Sequence, residues 1–477
     1  MGKLEQAKKN NNENLIDIND LSLTLGFWKN FAESVWEKDT FVKTKDFLAP
    51  PISAEELFKC VVEMSIQHCL TRDAGGDQND IRIYLESVEA RKDYDHLLPK
   101  LSDSDFDGYS HRIRQDLHGR TFVFVIDQIT MPKSLKIWTN NFLKGMYRPL
   151  GAISHANYWS ISFGDYSTSP DGVCNHSNAL FSEGAFCFPI IGEKNVTVWD
   201  PAYVRDNPEV KGSRHYIKHI QEATHLSAGP GGMMYWPSDR WHTESSEGGD
   251  ISMVLSVRGF SDVYLEFLGS ITDLPMLFSY KPSGLRKWVC HFIEAFLLVA
   301  HVLLIKFSER ARQNQIRSLP CDVDDLQASA QEIPEGLRKI GSRLNVRFYF
   351  GKNIEKALSA FWLFHLTNLG AESQNDPFPP IKLMPKLRIR RSAEIVLLWR
   401  QVDNKTLLLV ADRYVHEIPS QFLPLIKYIA GIEVEQEIVY DNLVDLSSGI
   451  DCSPQESEDE LSLLLKFLGE SGTFYTT

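Results

Sequence analysis

The sequence predicts an α+β protein. Its core is a double-stranded β-helix, a jelly-roll barrel, followed by a helical section and a small mixed tail. Three observations carry this reading. Residues 121–260 contain short apolar or alternating segments separated by turn residues, as in a barrel of short antiparallel strands. Two of the stretches there, Asn175–Asp200 and Gly231–Val257, read as two halves of one metal pocket. Beyond Ser261 the period becomes helical, and from Lys386 strand hairpins and helices alternate.

Taken in order, residues 1–19 are polar and Asn/Lys-rich and read as a disordered tail, with nothing shaped like a signal peptide. From Gly26 the sequence gives an aromatic helix, a short strand at Thr40–Val42 and a break at Pro50-Pro51. A second helix follows, capped by Ser53 with Glu56 three residues on. Asp73–Gly119 is charged and irregular. Thr121–Ile126 then reads as a strand, Lys133–Phe142 as a helix, His155–Ser162 as a strand and Asp165–Gly172 as a turn-rich loop.

A hydrophobic strand through Phe186, Phe188, Ile190 and Ile191 ends at Gly192. A polar insertion after Asp200 carries His215, His219 and His225, read as solvated loop histidines. An apolar strand from Gly232, a turn around Pro237 and Asp239 and the alternating strand Asp250–Phe260 complete the barrel. In the tail, Glu394–Arg400 and Thr406–Asp412 form a hairpin through Asp403-Asn404-Lys405. Helices near Gln421–Ala430 and Glu458–Leu468 and a strand near Thr473–Tyr475 follow. The resulting division is 1–19, 20–262, 263–378 and 379–477.

Composition limits the function classes. The chain has 477 residues, 43% hydrophobic and 24% charged, which suits several globular domains with a sizeable core. A net charge of −13 weighs against a nucleic-acid surface. Seven cysteines without a C-x-x-C pair point away from a disulfide framework and toward the cytoplasm.

The chemistry-bearing residues are His176, Asn178, Glu183, Lys194, His242 and Glu244. Residues two apart on a strand share a face, so His176 and Asn178 can aim at one ion. His242 stands where a strand begins after the Gly232, Pro237 turn, and two histidines on facing strands with one oxygen ligand suit a non-haem iron site.

At these residues the chain resembles the JmjC-like cupin oxygenases that use Fe(II) and 2-oxoglutarate, in particular the ribosomal-oxygenase branch. The family frame G-x-x-x-H-x-D, G-x-K, G-D-x-x-x-x-P-x-x-x-x-H is followed here by Gly172, His176, Asn178, Gly192, Lys194, Gly231-Gly232, Pro237 and His242. The acidic ligand position holds Asn178, and the spacing to the next strand is longer than in the family. The third ligand is therefore Glu183, Asn178 or Glu244.

The resemblance implies that Lys194 pairs with the distal carboxylate of 2-oxoglutarate and that a side chain of a protein or peptide is hydroxylated. It also implies a homodimer through the helical section and a closing winged-helix-like domain. A binding module with an altered ligand set, and a metal-dependent cupin enzyme that does not use 2-oxoglutarate, remain alternatives.

Trp288–Ile305 is the one membrane candidate. It carries His291, Glu294 and His301, and a mid-membrane charge costs roughly 2.5–3.5 kcal/mol on insertion scales. It reads instead as a buried helix whose apolar surface is covered by its mate in a dimer.

Overall fold

The structure is a computed structural model. It describes residues 21–45, 47–73, 81–86, 88–89, 94–127, 129, 132–151, 156–166, 173, 181–212, 216–260, 267, 319, 321–322, 325–348, 353–367, 387–392, 395–411, 414–433 and 436–476. The chain divides into two compact units. Met1–Pro149, Asn157–Asn178 and Ser182–Arg258 form the first, and Gly259–Thr477 forms the second with the short pieces Leu150–Ala156 and Ala179–Phe181.

The first unit opens with helix α1 (Leu21–Ser34), strand β1 (Phe41–Lys43) and helix α2 (Ala54–Asp73). The expected cap is present, with the Glu56 amide donating to Ser53 Oγ at 3.2 Å. Asp73–Gly119, expected to be irregular, instead contains β2 (Ile81–Leu85), β3 (Val88–Glu89) and helix α3 (Phe106–Asp116). The reason is tertiary. Ile81 and Ile83 of β2 are buried because the strand pairs with β4 (Phe122–Ile126), far along the chain. Helix α3 has an apolar stripe of only Phe106, Tyr109 and Ile113, all buried, on an otherwise charged segment capped by Asp105.

Helix α4 (Lys133–Leu150) and strand β5 (Ala156–Tyr166) each run longer than expected. Strands β6 (Phe181–Ile191) and β7 (Lys194–Trp199), helix α5 (Pro201–Asp206), and strands β8 (Thr224–Ala228), β9 (Met233–Trp236) and β10 (Trp241–Phe260) complete the unit. Among the described residues these strands form one sheet in the order β1-β9-β6-β10-β5-β4-β2-β3, and β7 joins β10 to β8 as a branch. The sheet forks at β10, whose first residues pair antiparallel with β7, Trp241 opposite Trp199 and Ser246 opposite Lys194.

The two prongs face each other across an apolar layer. Val196 and Val198 of β7 and Leu226 and Ala228 of β8 pack with Ala185 and Cys187 of β6 and Met234 and Trp236 of β9. On the other face of β6, Phe186 and Phe188 meet the helices. Ring centroids are 5.1 Å apart for Phe142–Phe186, 5.2 Å for Trp138–Phe188 and 5.7 Å for Phe31–Phe186. Such pairs add about 0.5–1.5 kcal/mol each beyond their buried area.

Two of the glycines that the backbone requires frame the strands of the site. Gly192 turns β6 into β7 at φ 75°. A Cβ on Gly232 would lie 2.6 Å from both the Lys43 and Thr44 carbonyl oxygens, so only glycine lets β1 cross there. The insertion after Asp200 is less polar in structure than in sequence. Val204, Val210 and Tyr216 pack on Trp199, with Trp241 beside them.

The second unit holds helices α6 (Leu326–Gln331), α7 (Glu335–Phe348) and α8 (Asn353–Thr367), then β11 (Arg388–Arg391), β12 (Leu397–Gln401), β13 (Thr406–Ala411) and β14 (Tyr414–Pro419). Helix α9 (Leu423–Ala430), strand β15 (Glu437–Val439), helices α10 (Tyr440–Ser448) and α11 (Pro454–Glu470) and strand β16 (Phe474–Thr476) close it. β12, β13 and β14 make one three-stranded sheet, and β15, β11 and β16 another.

The expected hairpin, the two tail helices and the last strand are all present, and β11, β14, β15 and α10 are additions to them. Buried Arg400 of β12 ties the helices to the first of these sheets. It donates to Ser359 Oγ of α8 at 3.1 Å and to the Ala330 carbonyl of α6 at 3.3 Å, and also to the Gln331 carbonyl. Trp288–Ile305 lies outside the described residues. Among the described residues no helix is long and apolar enough to cross a membrane.

Candidate functional site

The site is organised by the pairing of β7 with β10. His242 stands opposite Val198, Glu244 opposite Val196 and Ser246 opposite Lys194. Directly opposed residues share a face, so Lys194, His242, Glu244 and Ser246 lie on the side of Val196 and Val198, toward the apolar layer between the prongs. The glycine turn at Gly192 brings Lys194 in as the first residue of β7. The turn through Pro237 brings His242 in near the start of β10.

Two contacts of Arg240 hold that second turn. Arg240 is paired with Asp200 and donates to the Lys38 carbonyl at 2.9 Å. The Ala202 amide first, and the Arg240 guanidinium after it, keep the Asp200 carboxyl below the usual carboxylate range. Burial pushes neighbouring Asp239 the other way, raising it.

His242 is only 3% exposed. Its Nδ1 is 3.2 Å from the Arg240 carbonyl oxygen, and its ring packs on Trp236 with centroids 5.1 Å apart. A carbonyl only accepts, so Nδ1 carries the proton and the lone pair of the neutral ring is on Nε2. A backbone carbonyl on one ring nitrogen is the usual support of a histidine that ligates a metal through the other. His242 thus supplies one imidazole donor of the kind that a divalent metal takes. Among the described residues no group of three metal-ligating side chains occurs. His176 and Asn178 lie outside them, as does the side chain of Glu183.

Lys194 is completely buried, and its Nζ is 3.0 Å from Glu244 Oε2. It also donates to Ser162 Oγ of β5 at 3.3 Å, and Ser162 Oγ lies 2.8 Å from Ser252 Oγ of β10. Ser246 donates to the Gly164 carbonyl at 2.8 Å. A polar patch of one ammonium, one carboxylate and two serine hydroxyls therefore sits beyond His242 on the same face. Ser162, Ser252 and Arg240 were not singled out in the sequence. Only the regular strand parity of Ser160 and Ser162 could have hinted at an inward polar row.

Two of the insertion histidines have ordinary partners. His219 Nδ1 is 3.0 Å from Tyr203 Oη, and His225 Nδ1 is 3.2 Å from Thr197 Oγ1. His215 lies outside the described residues. A cavity of about 460 Å³ opens elsewhere, lined by Phe106, His111 and Arg114 of α3 with Phe163 and Ile251. Phe163 and Ile251 are the chain neighbours of Ser162 and Ser252, so this cavity belongs to the opposite sheet face and not to the patch around Lys194.

The chain is similar to a ribosomal oxygenase over nearly its whole length. The X-ray structure of Escherichia coli ycfD has 14% identity and a TM-score of 0.41, with 94% of this chain and 98% of that one covered. The structure of the same ribosomal oxygenase in complex with cobalt and 2-oxoglutarate has 14% identity and a TM-score of 0.38, with the same coverage. No protein-family model matches the chain, and no curated protein does. Similarity at that level leaves the reading of the site to the site's own residues.

Proposed function

We propose that the chain is an Fe(II)- and 2-oxoglutarate-dependent oxygenase that hydroxylates a side chain of a protein or peptide. The observation that carries this is Lys194, a wholly buried ammonium on the strand face that also bears His242. An ammonium held buried on this face, with Glu244 and Ser162 beside it, can anchor the carboxylate of a small ligand.

In this reading the forked sheet of residues 20–262 is a double-stranded β-helix. His176 and His242, with Glu183 or Asn178, would hold the iron, and Lys194 would hold the distal carboxylate of the cosubstrate. The metal and cosubstrate together supply the oxidation of an unactivated C–H bond. The protein's part is positional. The Arg240 carbonyl keeps His242 in one tautomer, the Asp200–Arg240 pair holds the turn behind it, and Ser162 orients the ammonium.

The helical section 263–378, with Trp288–Ile305, would form a homodimer contact, and 379–477 a winged-helix-like domain without a nucleic-acid role. A monomer in sedimentation at micromolar concentration would remove the dimer. The test of the function is Fe(II) titration under anaerobic conditions with succinate release on adding oxygen. His242→Ala should lose both, and iron uptake at wild-type stoichiometry by that variant refutes the site.

A second reading, a metal-dependent cupin enzyme that does not use 2-oxoglutarate, is favoured by one observation: Lys194 already faces a carboxylate, that of Glu244. Metal binding that depends on His242, without any 2-oxoglutarate binding, would select it.

A further inference from the structure

Glu244, which the sequence left as a third candidate for the oxygen ligand, is paired instead with Lys194. Its Oε2 is 3.0 Å from Lys194 Nζ, and the two side chains differ in access, 0% exposed for the lysine and 22% for the glutamate. The ammonium therefore cannot exchange its partner for water, whereas the carboxylate can swing out.

Chemically, Glu244 presents to Lys194 the same group that the far end of 2-oxoglutarate would present. It stands two residues beyond His242 and two before Ser246, which is opposite Lys194. Glu244 thus lies between the imidazole and the strand position opposite the ammonium, on the face that they share. Two carboxylates would then compete for one ammonium, and like charges brought together in a partly dry site repel.

We infer that Glu244 is a specificity-determining residue: an internal counter-ion that an incoming distal carboxylate must displace from Lys194. It thereby weakens dianionic 2-oxo acids relative to those with an uncharged far end. The inference rests on the cosubstrate reading above. A 2-oxo acid such as 2-oxovalerate needs no displacement and leaves the Lys194–Glu244 pair standing. Ser162, 3.3 Å from Nζ, remains on the ammonium in either case, so what changes is the counter-ion.

The experiment uses the full chain loaded with Zn(II), which is redox-inert, and isothermal titration with 2-oxoglutarate and with 2-oxovalerate. Wild type, Glu244→Gln, Lys194→Met and the double variant are compared. Glu244→Gln is expected to bind 2-oxoglutarate roughly tenfold or more tightly than wild type, the scale of one charge-assisted hydrogen bond no longer lost. Its affinity for 2-oxovalerate should stay within about threefold. Adding Lys194→Met should remove the gain.

Equal or weaker 2-oxoglutarate binding by Glu244→Gln overturns the inference and leaves the cosubstrate reading intact. If neither wild type nor Glu244→Gln binds 2-oxoglutarate while His242-dependent metal uptake persists, the cosubstrate reading falls and takes the inference with it. Should Glu244→Gln fail to fold, thermal melts of the wild type decide. Stabilisation by 2-oxovalerate at least equal to that by 2-oxoglutarate supports the inference, and a tenfold preference for the dianion overturns it.

Discussion

Removing either half of the Lys194–Glu244 pair should destabilise the first unit, and by unequal amounts. At 3.0 Å, unit charges attract by about 5–6 kcal/mol at an effective dielectric near 20. Much of that only offsets the desolvation of the two ions. What remains measurable depends on what the lost partner leaves behind. Glu244→Gln takes the carboxylate away from an ammonium with no exposure, and breaking a buried ion pair in this way costs about 3–5 kcal/mol. Lys194→Met takes the ammonium away from a carboxylate that is still 22% exposed and can recover water, so about 1–2 kcal/mol is expected. The double variant removes both charges and should be close to Lys194→Met alone, giving a coupling of roughly 3–5 kcal/mol, the full cost of Glu244→Gln. The assay is urea unfolding of the four proteins without metal or ligand, followed by tryptophan emission and far-UV circular dichroism. A larger loss for Lys194→Met than for Glu244→Gln, or a coupling under about 0.5 kcal/mol, would refute this account of the pair.

Three further outcomes are expected. Arg400→Ala removes donors from Ser359 Oγ and from the Ala330 and Gln331 carbonyls. The neutral acceptors left unpaired should cost the second unit about 2–4 kcal/mol in denaturant, and a rescue by Arg400→Lys would contradict the planar multi-donor role assigned to it. Burial pushes the His416 imidazole from its ordinary 6.5 down to about 4, with its ring stacked on Phe467 at 5.4 Å between centroids. The unfolded chain binds that proton more readily, so stability is full above pH 6.5 and is lost as pH falls through 6.5 toward 4. The loss is roughly 2–3 kcal/mol, and His416→Phe should flatten the acid limb of a stability-against-pH curve. Gly232→Ala, which places a Cβ 2.6 Å from two carbonyl oxygens, should move β1 or the turn leading to β9. A crystal structure of the variant with that backbone unmoved would count against the steric argument.

What the sequence alone determined is local in origin. Gly192 needs a positive φ, and the Pro237 and Asp239 turn follows an apolar strand. These local choices start β7 at Lys194 and put His242 near the start of β10, as the strand pattern had indicated. Ser53 with Glu56, and the Asp403-Asn404-Lys405 turn, were legible for the same reason, because each satisfies its own backbone within a few residues. Only the tertiary structure decided what depends on distant partners. β2 is too short and too flanked by charge to be read as a strand, and it exists because β4 pairs with it. The polar insertion hides Val204, Val210 and Tyr216, which become core only against Trp199. The meeting of Glu244 with Lys194 follows from the register that sets Ser246 opposite Lys194, which makes Glu244 the diagonal neighbour. A one-residue slip would turn that carboxylate to the other face, and no local pattern in either strand specifies the pairing. Spacing along the chain can nominate His242 and Lys194, but a charge partner across strands is chosen by the register of the sheet.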